Sequence, residues 1–349
     1  MFDFNKEINL DGTLVSKAAP TYFIAEIGGN FSTFEEAKKL IDDAKVSGAN
    51  SVKFQTLEAE TITTKNNYIG FNKDNPTRQY DNFKSSEISK ELQIEVVKYA
   101  KKIGLTVFSA PSHIKDFEFM ESELDIPIYK IGSDLLTHIP LLIEIAKTKK
   151  PMILSTGLST MQEIRDSVEA IHSTGFKDLI LLQCVSNYPC AYDEVNLNAM
   201  LSMQNEFGCL VGYSDHTLDI EISLAASVMG ACVIERHFTY DKTLPGPDHK
   251  LSSTKEEFKK LITYTRNIEL ATGTGIKVPT YSELKSRETN RCSIIVMNNM
   301  KNGDVITAND IDIRRPGNGL APKYYDTVIG KKIKIDIKAE TPLLSNMLE

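Results

Sequence analysis

Two lysines, two histidines and two glutamates stand in this 349-residue sequence inside or at the ends of short apolar runs. Lys53 lies within SVKFQ (51–55) and Lys130 within IYKI (128–131). His216 follows LVGY (210–213) by three residues, and Glu235 and His237 close CVIERH (232–237). Glu26 falls near the end of YFIAEI (22–27). A lysine in a strand buried on both faces has no solvent to reach, so its ammonium group requires an anion. That points to a phosphate- or carboxylate-bearing ligand. A Schiff-base role is the rival reading, as barrel aldolases use such a lysine. Two imidazoles at the ends of neighbouring strands can come within metal-ligand distance, and with open positions they suit a divalent Lewis acid. Two separately hydrogen-bonded histidines are the alternative. Of the other four histidines, His249 has some claim, because it follows Pro245-Gly246-Pro247-Asp248. Cys184 and Cys190, flanking Tyr188-Pro189, read as packing thiols.

The elements that must position these groups repeat in type. Apolar runs at 22–27, 51–55, 106–109, 128–131, 152–155, 179–183, 210–213 and 232–237 alternate with helical segments. Continuous rather than alternating hydrophobicity is what a parallel strand covered on both faces requires. Ser32 with Glu35, and Ser159 with Gln162, are expected to open helices as capping boxes. Gly48 closes the first of these helices, and Phe258, Leu261, Ile262 and Ile268 stripe the last. Eight such units predict a closed (β/α)8 TIM barrel. A doubly wound sheet would usually show a glycine-rich nucleotide loop after its first strand, and Gly28-Gly29-Asn30 does not complete one.

Function in such a barrel sits at the carboxyl ends of the strands. Those ends offer Glu26, Lys53, Gln55, Ser109, Lys130, Ser133, Ser155, Thr156, Gln183, Ser186, Tyr188, Ser214, Asp215, His216, Glu235, Arg236 and His237. Helix capping explains some of the serines but not the lysines, histidines and glutamate. The expected pocket is polar, cationic and rich in hydroxyl groups, suited to a phosphate or carboxylate.

The long polar connection 56–86 is expected as a loop over the mouth, and the first 20 residues as a cover for the barrel's lower end. The barrel domain is placed at 1–279 and a charged linker at 280–290. A small β-rich domain follows at 291–349, with strands at 293–297, 305–307 and 311–313. Forty-seven acidic against 40 basic residues, a net charge of −7, argue against a nucleic-acid partner. No apolar run approaches the roughly 20 residues that span a bilayer. Five cysteines, four of them in or beside apolar stretches, suggest buried thiols in a reducing cytosol.

Eight motifs then occur in order: AEIGGN (25–30), VKFQT (52–56), YKIGS (129–133), ILSTG (153–157), GYSDHT (212–217), ERHFT (235–239), GPDH (246–249) and RPGNG (315–319). Together they resemble the sialic acid synthase family, which makes N-acetylneuraminate, legionaminate or pseudaminate, and the tail resembles its antifreeze-like (SAF) domain. The resemblance implies condensation of phosphoenolpyruvate with the aldehyde of an open-chain N-acylated amino sugar. By this similarity His216 and His237 hold a divalent ion, manganese with magnesium or cobalt as alternatives. Lys53, Lys130, Ser133, Ser155 and Ser186 match phosphoenolpyruvate-binding positions, with Ser214 beside them. Glu26 matches a proton-handling glutamate, and Gln55, Tyr188 and Asp248 match sugar contacts. Arg315 matches an arginine that reaches the partner subunit's site, implying a domain-swapped homodimer. Three positions depart from the family's pattern: Phe31 follows Asn30, Ala110 follows Ser109, and Leu135 stands where a glutamate is usual, with Asp134 one residue early. Other readings are a condensing synthase for another aldose, a lysine-based aldolase, and a phosphoenolpyruvate-binding homologue without activity.

Overall fold

A computed structural model describes residues 2–69, 77–246 and 248–349 of the chain. Contacts divide it into two compact units, Met1–Thr272 and Gly273–Glu349. In the first, β1 (Tyr22–Glu26), β2 (Ser51–Thr56), β3 (Thr106–Pro111), β4 (Tyr129–Ile131), β5 (Met152–Ser155), β6 (Leu179–Cys184), β7 (Leu210–Asp215) and β8 (Val233–His237) form a closed barrel in sequential order. All pairings are parallel, and β8 closes on β1 with His237 opposite Glu26. Nearly every barrel-strand residue is buried, as strands sandwiched between a filled interior and a helix layer must be.

The principal helices outside the barrel are α1 (Phe34–Ser47), α2 (Lys90–Lys102), α3 (Ile114–Phe119), α4 (Ile139–Lys147), α5 (Met161–Ser173), α6 (Asn198–Phe207), α7 (Glu221–Val228) and α8 (Lys255–Thr272). Both expected capping boxes form one residue later than expected. Thr33 with Glu36 opens α1, and Thr160 with Glu163 opens α5. Each site carries two overlapping Ser/Thr-x-x-Glu/Gln pairs. At α5 the register that wins brings a carboxylate rather than an amide to the positive end of the helix. Gly48 closes α1 in the left-handed conformation, as its lack of Cβ permits. Ile268 is only half-buried on α8, where Thr265 completes the buried stripe.

The lower end of the barrel is closed by a hairpin, Glu7–Leu10 against Thr13–Ser16. Its Ile8, Leu10 and Val15 join the core. Polar ties hold it to strand starts: Thr106 donates to Asp11, and Asn5 donates to Asp178 and to the Lys177 carbonyl. At the upper end the β2–α2 connection folds into two short helices, Ala59–Ile62 and Gln79–Ser86, with a small hairpin between them. Residues 70–76 of that connection, and Pro247 of the Gly246–His249 motif, lie outside the described residues.

The second unit is built on a three-stranded antiparallel sheet of β9 (Ser293–Val296), β10 (Ile311–Arg314) and β11 (Thr341–Pro342), with β9 central. Ile294, Val296, Met300, Ile306, Ile333 and Leu343 form its own core. The strand expected at 305–307 is reduced to an isolated bridge between Val305 and Lys332. The segment expected as a linker carries a helix, Tyr281–Asn290, opened by a Thr280–Glu283 capping box with no buried face. Capping at its start and a hydrogen bond from the Gly317 N–H to the Glu288 carbonyl hold it, neither of which overall charge reveals.

Candidate functional site

Alternation along the strands decides which end residues enter the barrel and which face the helices. On β8, Glu235 and His237 point inward, while Arg236 points out into a buried network with Asp215 of β7. Arg236 donates there to Ser253 and to the carbonyls of Thr217 and Asp219, and Asp215 accepts from Thr217 and Ser223. This outward pair fixes the loop after β7, and so the backbone that carries His216. On β3, Ser109 is bonded to Thr56 and to the Phe54 carbonyl and is structural, as is Thr156, bonded to the Leu182 carbonyl.

The inward residues meet in a cavity of about 360 Å³ at the carboxyl ends of the strands. Ten predicted site residues line it: Lys53, Gln55, Lys130, Ser133, Ser155, Ser186, Tyr188, Ser214, His216 and His237. Glu26 lies just beneath, buried, with one carboxylate oxygen paired with Lys53 and the other accepting from the Gly28 N–H at 2.6 Å. Asp248 borders an adjoining chamber and places Oδ2 3.4 Å from His237 Nδ1. Arg315 belongs to the second unit, where it is exposed after β10.

The charge at the cavity floor is tightly organised. Glu235, which the sequence placed at a strand end without a role, accepts from Ser214 at 3.3 Å and lies 3.2 Å from Lys130 and 3.5 Å from Lys53. Burial opposes its charge, but the two ammonium groups outweigh it and hold the carboxyl below its usual range. Burial pulls Lys53 down to about 8, with Glu235 resisting and Lys130 assisting. Its second oxygen, Glu235 Oε2, has no hydrogen-bond partner, and neither has the buried Ser155 hydroxyl. Buried polar atoms left in this state mark a place built for a ligand or ordered water. Around Ser155 the wall is made for close approach. The Gly157 N–H donates to Ser133 at 3.0 Å, and a Cβ on Gly157 would lie 2.6 Å from the Ser186 hydroxyl. Two lysines, paired with Glu26 and Glu235, thus stand beside three serine hydroxyls and an unobstructed backbone, groups of the kind that bind anions.

The imidazoles occupy the opposite side. His216 Nδ1 donates to the Val185 carbonyl at 2.7 Å, which leaves Nε2 as a lone-pair donor. Burial first, then the charges of His216 and Lys53, hold His237 well below its ordinary value, so this ring is neutral. Its Nδ1 lacks a hydrogen-bond partner. Ring centroids are 5.5 Å apart, and Tyr188 packs on His216 at 4.1 Å. Imidazoles from β8 and from the residue that follows β7 are donors of the type that fits a divalent ion. Among the described residues no group of three or more His, Cys, Asp or Glu side chains could hold a metal. An ion here would therefore keep positions open to water or substrate.

The three departures have distinct places. Phe31 is buried edge-on against Phe54 and adds to the core. Ala110 and Asp134 line the cavity, whereas Leu135 packs on the core. Glu235 was legible in the sequence from its position two residues before His237, on the same face of β8. Gln79 and Phe83, also in the cavity wall, carried no sequence signal, because only the folded connection brings them there.

Residues 40–277 match the NeuB family, and residues 292–349 match the SAF domain. The chain is 39% identical over 332 residues to an uncharacterized protein of Methanocaldococcus jannaschii, covering 95% of each chain. It is also 39% identical over 337 residues to the N,N'-diacetyllegionaminic acid synthase of Legionella pneumophila, covering 94% of each. Among solved structures, it is similar to an N-acetylneuraminic acid (sialic acid) synthetase from Leptospira borgpetersenii. The TM-score is 0.70 at 31% identity, covering 81% of this chain and 95% of that one.

Proposed function

Because this chain belongs to the NeuB family and ends in a SAF domain, we propose that it condenses phosphoenolpyruvate with the aldehyde of an N-acylated amino sugar. The products are a nonulosonic acid and phosphate. One observation carries the reading: two buried lysines and an unpartnered buried serine face a pair of imidazoles across one cavity.

In this reading Lys53, Lys130, Ser133, Ser155 and Ser186 bind the phosphate and carboxylate, with Ser214 supporting Glu235 between the lysines. Gln55, Tyr188 and Asp248 orient the sugar. His216 and His237 would hold a divalent ion, manganese foremost, whose charge would polarise the aldehyde oxygen. The enol carbon forms the new C–C bond, and the aldehyde oxygen becomes a hydroxyl by gaining one proton. Water adding to the carbon that bears the phosphate ester oxygen loses one proton. Glu26, buried against Lys53, is placed to take up that proton, so gain and loss balance within the site. The C–O bond to phosphate then breaks, and the new hydroxyl's proton leaves with the phosphate as the ketone forms.

No helix among the described residues is long and apolar enough to cross a membrane. All five cysteines are unbridged and four are buried, which fits a reducing cytoplasm. A homodimer in which Arg315 serves the partner subunit's site is part of the same proposal and rests on the resemblance.

The test is phosphate release from phosphoenolpyruvate with manganese and an N-acetylated aldose. We expect release in step with a nine-carbon 2-keto acid. Chelation should abolish it, and added manganese should restore it. His216→Ala should lower turnover by at least about 10²-fold, as loss of a major electrostatic group does, with the circular dichroism unchanged. Undiminished turnover after chelation would overturn the metal assignment.

A further inference from the structure

Arg236 precedes His237 on β8 but lies on the face turned away from the cavity, and it is almost wholly buried. In the barrel register it stands opposite Asp215, the residue before His216. Neither lines the cavity, and no step of the proposed reaction uses them. A guanidinium taken out of water needs an acceptor for every N–H it carries. Arg236 finds five. Nε donates to the Ser253 hydroxyl at 2.9 Å, and Nη1 donates to the Asp215 carboxylate and, at 2.8 Å, to the Asp219 carbonyl. Nη2 donates to the carbonyls of Thr217 at 3.0 Å and Leu218 at 3.3 Å.

The segments that supply those acceptors flank the two imidazoles. Thr217, Leu218 and Asp219 form the turn that leaves His216. Asp215 tightens the same turn by accepting from the Thr217 N–H at 2.9 Å and from its hydroxyl at 2.8 Å. Ser253 belongs to the segment that returns after Asp248. Its N–H donates to the His237 carbonyl at 2.8 Å, and the adjoining Ser252 hydroxyl donates to the Asp248 carbonyl at 2.7 Å. One planar cation therefore ties the backbone leaving His216 to the backbone that braces His237. A binding constellation must be held to within about 0.5 Å of its productive geometry. Two loops free to move independently would not keep a pair of rings that close to register.

We infer that Arg236 is a positioning residue that sets divalent-ion affinity by fixing His216 and His237 relative to each other, without itself touching the ion or the substrates. This inference rests on the proposed metal role of the two histidines. Lysine cannot replace the arginine. Arg236→Lys keeps a positive charge opposite Asp215, but an ammonium group has three donors, so at least two of the five acceptors lose theirs.

The experiment strips the protein with a chelator and titrates it with manganese, read by loss of the free-ion electron paramagnetic resonance signal. The wild type is expected to bind the ion. Arg236→Lys should weaken that binding by at least about tenfold, as changes in the groups that orient metal ligands do. Ser253→Ala removes only the bond to Nε and leaves the buried charge pair whole. It should weaken binding by about threefold, so the test does not depend on Arg236→Lys folding. Saturating manganese should restore phosphate release in both variants, because both imidazoles are intact. Metal-free affinity for phosphoenolpyruvate, measured by calorimetry, should stay within about twofold of the wild type, as for a separate site. Unchanged manganese affinity in both variants, whatever their thermal midpoints, overturns the positioning role and leaves the metal reading intact. So does an equal loss of phosphoenolpyruvate affinity, which would mean general loosening of the barrel mouth. No manganese binding by the wild type overturns the metal reading, and the positioning role with it.

Discussion

At the scale of single residues, the cavity floor is governed by the competition between desolvation and pairing. Glu235 keeps its charge because two ammonium groups face it, and Lys53 loses part of its preference for charge because burial and Lys130 act together. The shift has a definite sign. Lys53 goes from an ordinary 10.5 to about 8 in the folded protein, so above pH 8 its ammonium group is increasingly absent. A lysine depressed in this way favours the fold as it deprotonates, since the buried neutral amine is the form the site tolerates best. Affinity lost above pH 8 is therefore not unfolding. The KM for phosphoenolpyruvate is expected to climb as pH rises from about 8 towards 10, approaching tenfold per pH unit, while the thermal midpoint does not fall through Lys53. A flat KM through that window would remove Lys53 from the groups that bind the anion. Residue types and order in the sequence already pointed to Lys53, Lys130 and the two histidines. They placed Glu235 at a strand end without giving it a role, because its importance lies in what it faces across the barrel.

At the scale of elements, strand alternation sorts the chemistry. Ser214 on β7 with His216 just after it, and Glu235 and His237 on β8, share the inner face, while Asp215 and Arg236 form a buried pair outside it. A register slip of one residue would exchange these sets, so the packing that pins register also pins function. Gly212 is one such pin. A Cβ there would lie 2.4 Å from the Val233 carbonyl and 2.7 Å from Leu182 Cδ2. Gly212→Ala should destabilise the barrel by about 1–3 kcal/mol, as overpacking does, read as a lower denaturation midpoint. An unchanged midpoint would mean that β7 and β8 can separate without loss. Barrel-strand positions were legible to within two residues, because double burial demands continuous apolar runs. The starts of α1 and α5 were legible to within one, because each offers two overlapping capping pairs.

At the scale of the whole molecule, each of the two units carries its own hydrophobic core. The proposed role of Arg315 in a partner's site predicts complementation. Arg315→Ala and His216→Ala proteins should each be weakly active alone. Co-refolded, they should recover about a quarter of wild-type turnover, because random pairing of two such chains leaves one intact composite site in each mixed dimer. No recovery, with mixed dimers shown to form, would place Arg315 in its own subunit's site or outside catalysis. The sequence by itself determined the barrel, the β-rich tail and the identities of most cavity residues. Buried parallel strands and ordered strand-end polar groups are local patterns that a linear chain must display. Only the tertiary structure decided which charges meet, that Glu235 sits between the lysines, and that Gln79 and Phe83 face the cavity across a long connection. Those facts depend on barrel closure and on the folding of an insert, and both are set by contacts between residues far apart in the chain.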